Sequence, residues 1–388
     1  MERIFETIIV GAGPGGLTAG RYLKDCLILE QKEEIGKPVQ CAEGLSKRFL
    51  DRYGIKPDPN WILIDNTKIV LPNKKTINFF AKGELYIIDR INFEKFLAGQ
   101  CQAEILLKKR VINVKKEKGI WKIETNEGEI FKSRYLIGAD GPFSIVRRKV
   151  FKKEIRILPC IEYLVELEKE INTSEIKVYF DQEKLPSGYG WIFPKSEHSA
   201  NIGLGIVGKP PHQNWCGGKG NLNLIFKDFL ENVVKKEWGN FKLLENKSGP
   251  VPWEGSLIKL VKDSACLVGD AGGLVNPISG GGIGNAMISG EMAANSILSG
   301  DIDSYELKIK SLPDFSDDLF LAQRILYSFS NQTFNEIGEV LEKVGGDIFH
   351  FKNPSVISAF LSKPNLRKNI PKFLKLYSIY KKYKATLT

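Results

Sequence analysis

After the short apolar, β-branched stretch Thr7–Val10, the chain reads Gly11-Ala12-Gly13-Pro14-Gly15-Gly16. A strand, a glycine-rich turn and a helix in that order leave few folds open. Gly11 permits the tight turn, Gly13 lets the backbone approach a pyrophosphate, and Gly16 lets the helix pack closely on the strand. The helix N-terminus then offers unpaired N–H groups and the positive end of its dipole to phosphates. Cys26–Leu29 reads as a second strand that ends in Glu30. That is the spacing, about 20 residues, at which an acidic side chain accepts hydrogen bonds from ribose hydroxyls. The pattern predicts a dinucleotide-binding βαβ unit and marks Gly11, Gly13, Gly16 and Glu30 as binding residues. It does not separate FAD from NAD.

Further along, Phe93–Ala103 is expected to be helical. Lys108–Asn113, Ile120–Thr125 and Glu129–Lys132 read as short strands with glycine turns between them. Tyr135–Ile137 reads as another buried strand. The middle changes character: Ile155–Phe180 and Gly188–Val207 alternate apolar and polar residues, as antiparallel strands with one wet face do. Asn221–Trp238 is patterned as an amphipathic helix. Ala265–Val268 is again a buried strand, which returns the chain to its first domain, and Met287–Leu298 is a helix. From Tyr305 the pattern is mainly helical, with breaks at Pro313, Gly345-Gly346, Pro354, Pro364 and Pro371.

Composition excludes several classes. Six scattered cysteines, no CxxC pair and three histidines (His198, His212, His350) argue against a zinc site or a disulfide framework, so no metal is expected. Scattered thiols suit a reducing cytoplasm. The N-terminus lacks the pattern of a secretory signal, and no apolar run has the roughly 18 residues a membrane-spanning helix needs. The net charge of +10 is spread along the chain without a nucleic-acid motif, so nucleic acid is not an expected partner. It suits solubility, an anionic membrane surface or an acidic protein partner.

Two later motifs specify the cofactor. Gly138-Ala139-Asp140-Gly141-Pro142-Phe143-Ser144-Ile145-Val146-Arg147 resembles the Asp-Gly motif of the flavoprotein hydroxylase superfamily. Leu267-Val268-Gly269-Asp270-Ala271-Gly272 resembles its Gly-Asp motif, whose Asp bonds the ribityl chain of FAD. Pro277-Ile278-Ser279 and the run Gly280-Gly281-Gly282-Ile283-Gly284 follow at once, and consecutive glycines suit a flat ring lying against backbone. A helix starting near Ile283 would point its positive end at the flavin. The resemblance implies FAD as cofactor, with Asp140, Asp270, Gly280, Gly281, Gly282 and Ile283 as further binding residues. It also puts Arg90 and Val111 in the FAD-binding region, although Arg90 alone would read as a surface ion pair.

Gln40-Cys41-Ala42-Glu43-Gly44-Leu45 and Pro186-Ser187-Gly188-Tyr189-Gly190-Trp191-Ile192-Phe193-Pro194-Lys195 resemble archaeal-type geranylgeranyl reductases, the second through a Tyr-x-Trp-x-Phe-Pro pattern. The resemblance covers about residues 1–300. The chain departs from the superfamily in a shorter first helix and in Gly272-Gly273, where Gly-Asp-Ala-Ala-Gly is the commoner form. The fold class is therefore expected to be α/β: a Rossmann-type FAD-binding domain, an inserted antiparallel β-sheet substrate domain and a helical C-terminal region. Boundaries are expected at 1–150 with 260–300 for the first, 151–259 for the second and 301–388 for the third.

The implied activity is reduction of isolated C=C bonds in geranylgeranyl chains, on a prenyl diphosphate or an ether lipid. Tyr189, Trp191 and Phe193 alternate along one strand and so share a face. They read either as the wall of an apolar slot for an isoprenoid or as a core stripe. The glycines among them suggest space left open. Cys41 is a candidate proton donor in this implied role and otherwise a small buried thiol. Lys195 reads as a phosphate contact or a solvated lysine. Only one dinucleotide fingerprint is present, so NAD(P)H docking transiently or an acidic carrier such as ferredoxin would reduce the flavin. A flavin monooxygenase and a non-catalytic flavin- and lipid-binding module remain alternatives. In the tail, Phe373, Leu376, Tyr377 and Tyr380 fall on one helical face bordered by lysines, a pattern that suits a peripheral membrane contact as well as an ordinary docked helix.

Overall fold

The computed structural model describes residues 3–206, 219–253, 259–342 and 354–385. Val207, His212, Cys216, Gly345, Gly346 and His350 lie outside the described residues. The chain divides into two compact units, one of Met1–Val39, Asp89–Ile157 and Pro250–Phe320, the other of Gln40–Ile88, Leu158–Gly249 and Leu321–Thr388.

The first unit is built on one sheet. Its strands run in the order Val261–Lys262, Ala265–Leu267, Ile130–Gly138, Ile4–Val10, Cys26–Leu29 and Glu104–Leu106. The central pairings are parallel. Parallel strands covered on both faces must be apolar throughout, and Cys26–Leu29 is buried at every position. Val111–Glu117 and Ile120–Thr125 add an antiparallel meander to Ile130–Gly138, which absorbs the two strands expected at Glu129–Lys132 and Tyr135–Ile137. The helix Pro14–Tyr22 starts with proline at its first position and packs on the helix Ile283–Leu298. Glycine decides that contact: a Cβ on Gly290 would lie 2.1 Å from the Gly15 carbonyl oxygen. Two backbones can approach this closely only where side chains are absent.

The second unit holds a mostly antiparallel sheet in the order Phe241–Asn246, Ile157–Leu167, Ser199–Gly205, Tyr189–Ser196, Glu175–Tyr179, Ile62–Val70, Thr76–Ile87 and Gly44–Ser46. One face carries Ile161, Val165, Ile192, Ala200, Ile202 and Leu204, packed with Phe226, Phe229, Leu230 and Val234 of the helical stretch from Lys219 to Trp238. That stretch relaxes into a π turn at Leu230–Val234, so the single expected helix is interrupted. Residues 40–88, expected with the first domain, group with this sheet. Their strands hydrogen-bond in register from Glu175–Tyr179 through Ile62–Val70 to Thr76–Ile87. Likewise the helical region splits: its segment up to Phe320 joins the first unit and the remainder the second.

Candidate functional site

In the first unit the glycine turn leads the chain from Val10 into the helix at Pro14. Gly11 takes φ +103°, and a Cβ there would lie 2.3 Å from the Ala139 carbonyl oxygen; one on Gly16 would lie 2.0 Å from the Gly11 oxygen. Both glycines are therefore fixed by the protein itself. Gly13 differs, because a Cβ there meets no protein atom within 4 Å. The space beside it is open, as a pyrophosphate's approach requires. Glu30 is buried and its carboxylate accepts from the Ala12 N–H at 2.6 Å and the Lys32 N–H at 2.9 Å. The acidic side chain is thus locked onto the glycine turn.

Asp140 divides its oxygens. Oδ2 accepts from the N–H groups of Ile145 (2.6 Å) and Val146 (3.2 Å), whereas the buried Oδ1 has no hydrogen-bond partner. Arg147, which sequence reasoning quoted within the motif but gave no role, is 1% exposed. Its guanidinium donates to the carbonyls of Ala271 (2.9 Å) and Pro142 (2.7 Å), tying the Asp-Gly loop to the Gly-Asp loop. A buried arginine that closes an Asp motif is the signal that was available. Asp270 lies deep in the unit while part of it still meets solvent. Burial pushes its pKa up to about 6, against the opposing pull of Arg90 and Arg147. Arg90 therefore belongs to the same electrostatic neighbourhood as Asp270. Its Nε donates to Glu94 at 2.7 Å, and Glu94 is buried, so this is no surface ion pair. Gly280 adopts φ +69°, and a Cβ on Gly282 would come within 3.2 Å of Asp270 Oδ1. Gly282 precedes the helix Ile283–Leu298, and Gly281 stays exposed. Val111 is buried at the start of its meander strand, paired with Thr125.

In the second unit, Tyr189, Trp191 and Phe193 stand opposite Gly205, Gly203 and Asn201 on the neighbouring strand. They occupy the face away from the aliphatic core. The glycines do not leave empty space as expected. A Cβ on Gly188 would lie 2.0 Å from the Gly205 carbonyl oxygen and one on Gly190 would lie 2.9 Å from Phe229, while on the facing strand one on Gly203 would lie 2.4 Å from the Trp191 ring. Trp191 thus packs closely over Gly203 and is buried, with its Nε1 lacking a hydrogen-bond partner. Tyr189 and Phe193 are half-buried. Tyr189 contacts Phe180, and Phe180 in turn contacts Tyr327 and Phe334, which adds aromatics that sequence reasoning missed. Burial pushes the Tyr189 phenol well up, so it stays protonated.

Cys41 is half-buried, and its Sγ accepts from the Glu43 N–H at 3.1 Å. Glu43 is buried, and its Oε2 receives Lys247 Nζ (2.6 Å), Asn201 Nδ2 (3.0 Å) and Lys195 Nζ (3.1 Å). Burial pushes the Glu43 carboxyl up, but Lys247 and Lys195 outweigh it and hold the group below its usual range. Lys195 is therefore more than a solvated lysine: it also donates to the Ile88 carbonyl at 2.8 Å. Sequence gave no hint of Lys247, which lies 204 residues from its partner. The structure assigns His198 no contact that suggests chemistry, and it sits in the turn between Ser196 and Ser199.

A parallel sheet with this glycine turn, and carboxylates at Glu30 and Asp270, define a flavoprotein oxidoreductase of the Rossmann type. The family model for the geranylgeranyl reductase catalytic domain matches residues 156–251. A digeranylgeranylglycerophospholipid reductase of Methanosarcina acetivorans is 34% identical over 333 residues, 79% of each chain. One from Methanococcus aeolicus is 32% identical over 88% of this chain and 92% of its own. Among solved structures, a geranylgeranyl bacteriochlorophyll reductase-like protein from Thermoplasma acidophilum superposes with TM-score 0.78 at 26% identity, covering 96% of this chain and all of the other. The chain belongs to the geranylgeranyl reductase family and is an FAD-dependent oxidoreductase. A p-nitrophenol 4-monooxygenase of Pseudomonas putida, at 14% identity and TM-score 0.62, shares the fold alone.

The residues present fit FAD. Glu30 and Asp270 offer carboxylates of the kind that sugar hydroxyls would donate to, and the first turn of the helix Pro14–Tyr22 presents N–H donors beside the open space at Gly13. Gly280–Gly282 offer bare backbone to a flat ring, and Asp140 Oδ1 is a buried acceptor still to be used.

Proposed function

We propose that this chain reduces isolated C=C bonds in geranylgeranyl chains carried on a glycerophospholipid-type ether lipid or a prenyl diphosphate. The observation that carries the reading is the family match on residues 156–251, a range that contains the aromatic strand Tyr189–Ser196. Reduced FAD, when bound, supplies the hydride that an unactivated alkene needs. Gly11, Gly13, Gly16, Glu30, Arg90, Val111, Asp140, Asp270, Gly280, Gly281, Gly282 and Ile283 are the residues proposed to hold it. Tyr189, Trp191 and Phe193 orient the isoprenoid, and their common face away from the aliphatic core supports this role. The Tyr189 phenol stays protonated and the Phe193 ring is apolar, so neither adds charge to that face. Cys41 is the proposed source of the proton that completes the saturated carbon pair, and its thiol then recovers a proton from water.

Electrons are proposed to arrive from NAD(P)H or from an acidic carrier of the ferredoxin type. The net charge of +10 favours the carrier through electrostatic steering. A peripheral contact with the membrane would bring a lipid substrate within reach. Among the described residues no helix is long and apolar enough to cross one.

The deciding experiment incubates dithionite-reduced enzyme with geranylgeranyl diphosphate and with an unsaturated ether lipid, then weighs the products. Gain of two hydrogen atoms per double bond supports the reading. Gain of an oxygen atom under air would make the enzyme a monooxygenase. Unchanged lipid with tightly bound FAD would leave a binding module.

A further inference from the structure

The segment Gln40–Gly44 is fastened on both sides of Cys41. Gln40 Nε2 donates to the Ser248 carbonyl at 3.0 Å, and a Cβ on Gly249 would come within 2.9 Å of the Gln40 side chain. Beyond Cys41, Asn201 Nδ2 reaches the Ala42 carbonyl at 3.3 Å and the Glu43 carboxylate at 3.0 Å. The Glu43 carbonyl accepts from the Ile88 N–H at 2.9 Å. Glu43 itself takes φ +68°, a left-handed conformation that a long side chain seldom adopts. It is in this conformation that its N–H meets the Cys41 sulfur.

A strained backbone persists only where its surroundings over-determine it. Here the restraint is ionic: Lys247 and Glu43 are 3% and 5% exposed in their side chains, and Lys195 completes the grip at 22%. Charges are rarely buried unless paired and hydrogen-bonded. This group ties three separate elements to one short loop, namely the loop before Gly249, the strand Ser199–Gly205 and the strand Tyr189–Ser196.

We propose that Glu43 is a positioning residue, whose carboxylate, clamped by Lys247, Lys195 and Asn201, holds its own N–H on the Cys41 sulfur and so tunes that thiol as a proton donor. The proposal rests on the reading that Cys41 donates the proton. In that step the S–H bond breaks as the second C–H bond forms on the alkene, and the alkene π electrons become the two C–H bonds with the hydride from reduced FAD. The thiolate left behind is an anion, and the Glu43 N–H together with the ammonium groups held on the Glu43 carboxylate stabilises it. Among the described residues, the charged groups bonded at the loop include Glu43, Lys247 and Lys195, with Glu162 next along: its backbone N–H bonds Ser248 Oγ, and its carbonyl accepts from the Lys247 N–H. Removing a lysine from this set withdraws a cation and loosens the clamp, and both changes make the thiolate harder to form.

The test reads Cys41 directly in the FAD-loaded enzyme, by iodoacetamide alkylation across pH with peptide mass mapping. Lys195→Met should move the midpoint of the Cys41 profile up by about half a unit. Lys247→Met should move it further, and Lys247→Arg should return it toward wild type. Flavin content and circular dichroism establish that each variant is folded. If Lys247→Met does not fold, Lys195→Met decides alone. A midpoint unmoved in the folded lysine variants overturns the proposal and leaves the cluster as a fold-stabilising group. Turnover separates the two readings: a Cys41→Ser enzyme with full activity removes Cys41 as proton donor, whatever the alkylation profile shows.

Discussion

At the scale of single residues, Gly13 and Gly16 of the turn are not equivalent, and this makes them separable. A side chain at Gly16 collides with the Gly11 carbonyl, so Gly16→Ala should cost the folded protein stability before any ligand is considered. Gly13 has open space, so Gly13→Val should fold with a wild-type melting temperature when stripped of FAD, yet fail to load it. Equal flavin content in Gly13→Val and wild type would contradict this. Asp270 offers a pH test. Its carboxyl is raised to about 6 by burial, so without ligand it protonates as pH falls through that value. Because folding raises this pKa, the group favours the apoprotein most at acid pH, and that contribution is lost as pH rises through about 6. Sugar hydroxyls donate to the ionised form, so FAD loading releases a proton. FAD affinity should then weaken about tenfold between about pH 7 and about pH 5. Flavin-fluorescence titration would show this, with Asp270→Asn binding weakly at both values. A pH-independent wild-type affinity would take Asp270 out of the site.

Elements were legible to different degrees, for physical reasons. The strand at Ile4–Val10, the fingerprint helix and Cys26–Leu29 follow from an unbroken apolar run and a glycine turn, which are local signals. The strands Ile62–Val70 and Thr76–Ile87 were not read at all. Lys68, Asn66 and Thr76 interrupt their alternation, and the place of Ile62–Val70 is set by pairing with Glu175–Tyr179, a partner over 100 residues away, with Thr76–Ile87 added alongside it. The same distance hid the Glu43–Lys247 pair. The aromatic strand is legible as a single face, but the space beside its glycines is not, because what fills it, the Gly205 backbone at Gly188 and Phe229 at Gly190, comes from tertiary packing. That changes what a Trp191 variant should do. Trp191→Ala opens a cavity over Gly203, and burying a large aromatic is worth about 3–5 kcal/mol. The variant should keep FAD, whose proposed ligands lie in the first unit, while losing prenyl turnover and several degrees of melting temperature. Trp191→Phe should recover most of the stability, and the turnover it recovers measures what the indole does for the substrate. Flavin loss in step with activity would contradict this assignment.

For the whole molecule, basic residues occur throughout the chain, whereas acidic ones are missing from one long stretch. From Pro354 to Thr388 every charged side chain is Lys or Arg. The described part of this stretch forms the helices Pro354–Ser362, Pro364–Lys368 and Ile370–Ala385. The last helix leaves only half of its expected apolar face, Tyr377 and Tyr380, exposed. Phe373 and Leu376 pack against Phe329, Phe334 and Leu341 of its own unit, and Ile379 is buried. The exposed apolar side chains are Leu374, Tyr377 and Tyr380, together with Ile357 and Leu361 of the first of these helices. Apolar tips bordered by Lys372, Lys375, Lys381 and Lys382 suit the headgroup layer of an anionic bilayer, where each lysine near the surface contributes about 1 kcal/mol. A lipid substrate gives such a contact a use, since the isoprenoid chain must leave the bilayer to be reduced. Deleting Pro371–Thr388 would expose Phe329 and Phe334, so substitutions are the cleaner test. Leu374→Ser with Tyr377→Ser should leave the melting temperature and FAD content unchanged and weaken sedimentation with phosphatidylglycerol vesicles severalfold. Lys375→Glu with Lys382→Glu should abolish it at low salt, and wild-type binding should fall steeply as salt is raised, as screening requires. If wild type and all four substitutions sediment equally at low salt, these helices serve only to cover the second unit's core.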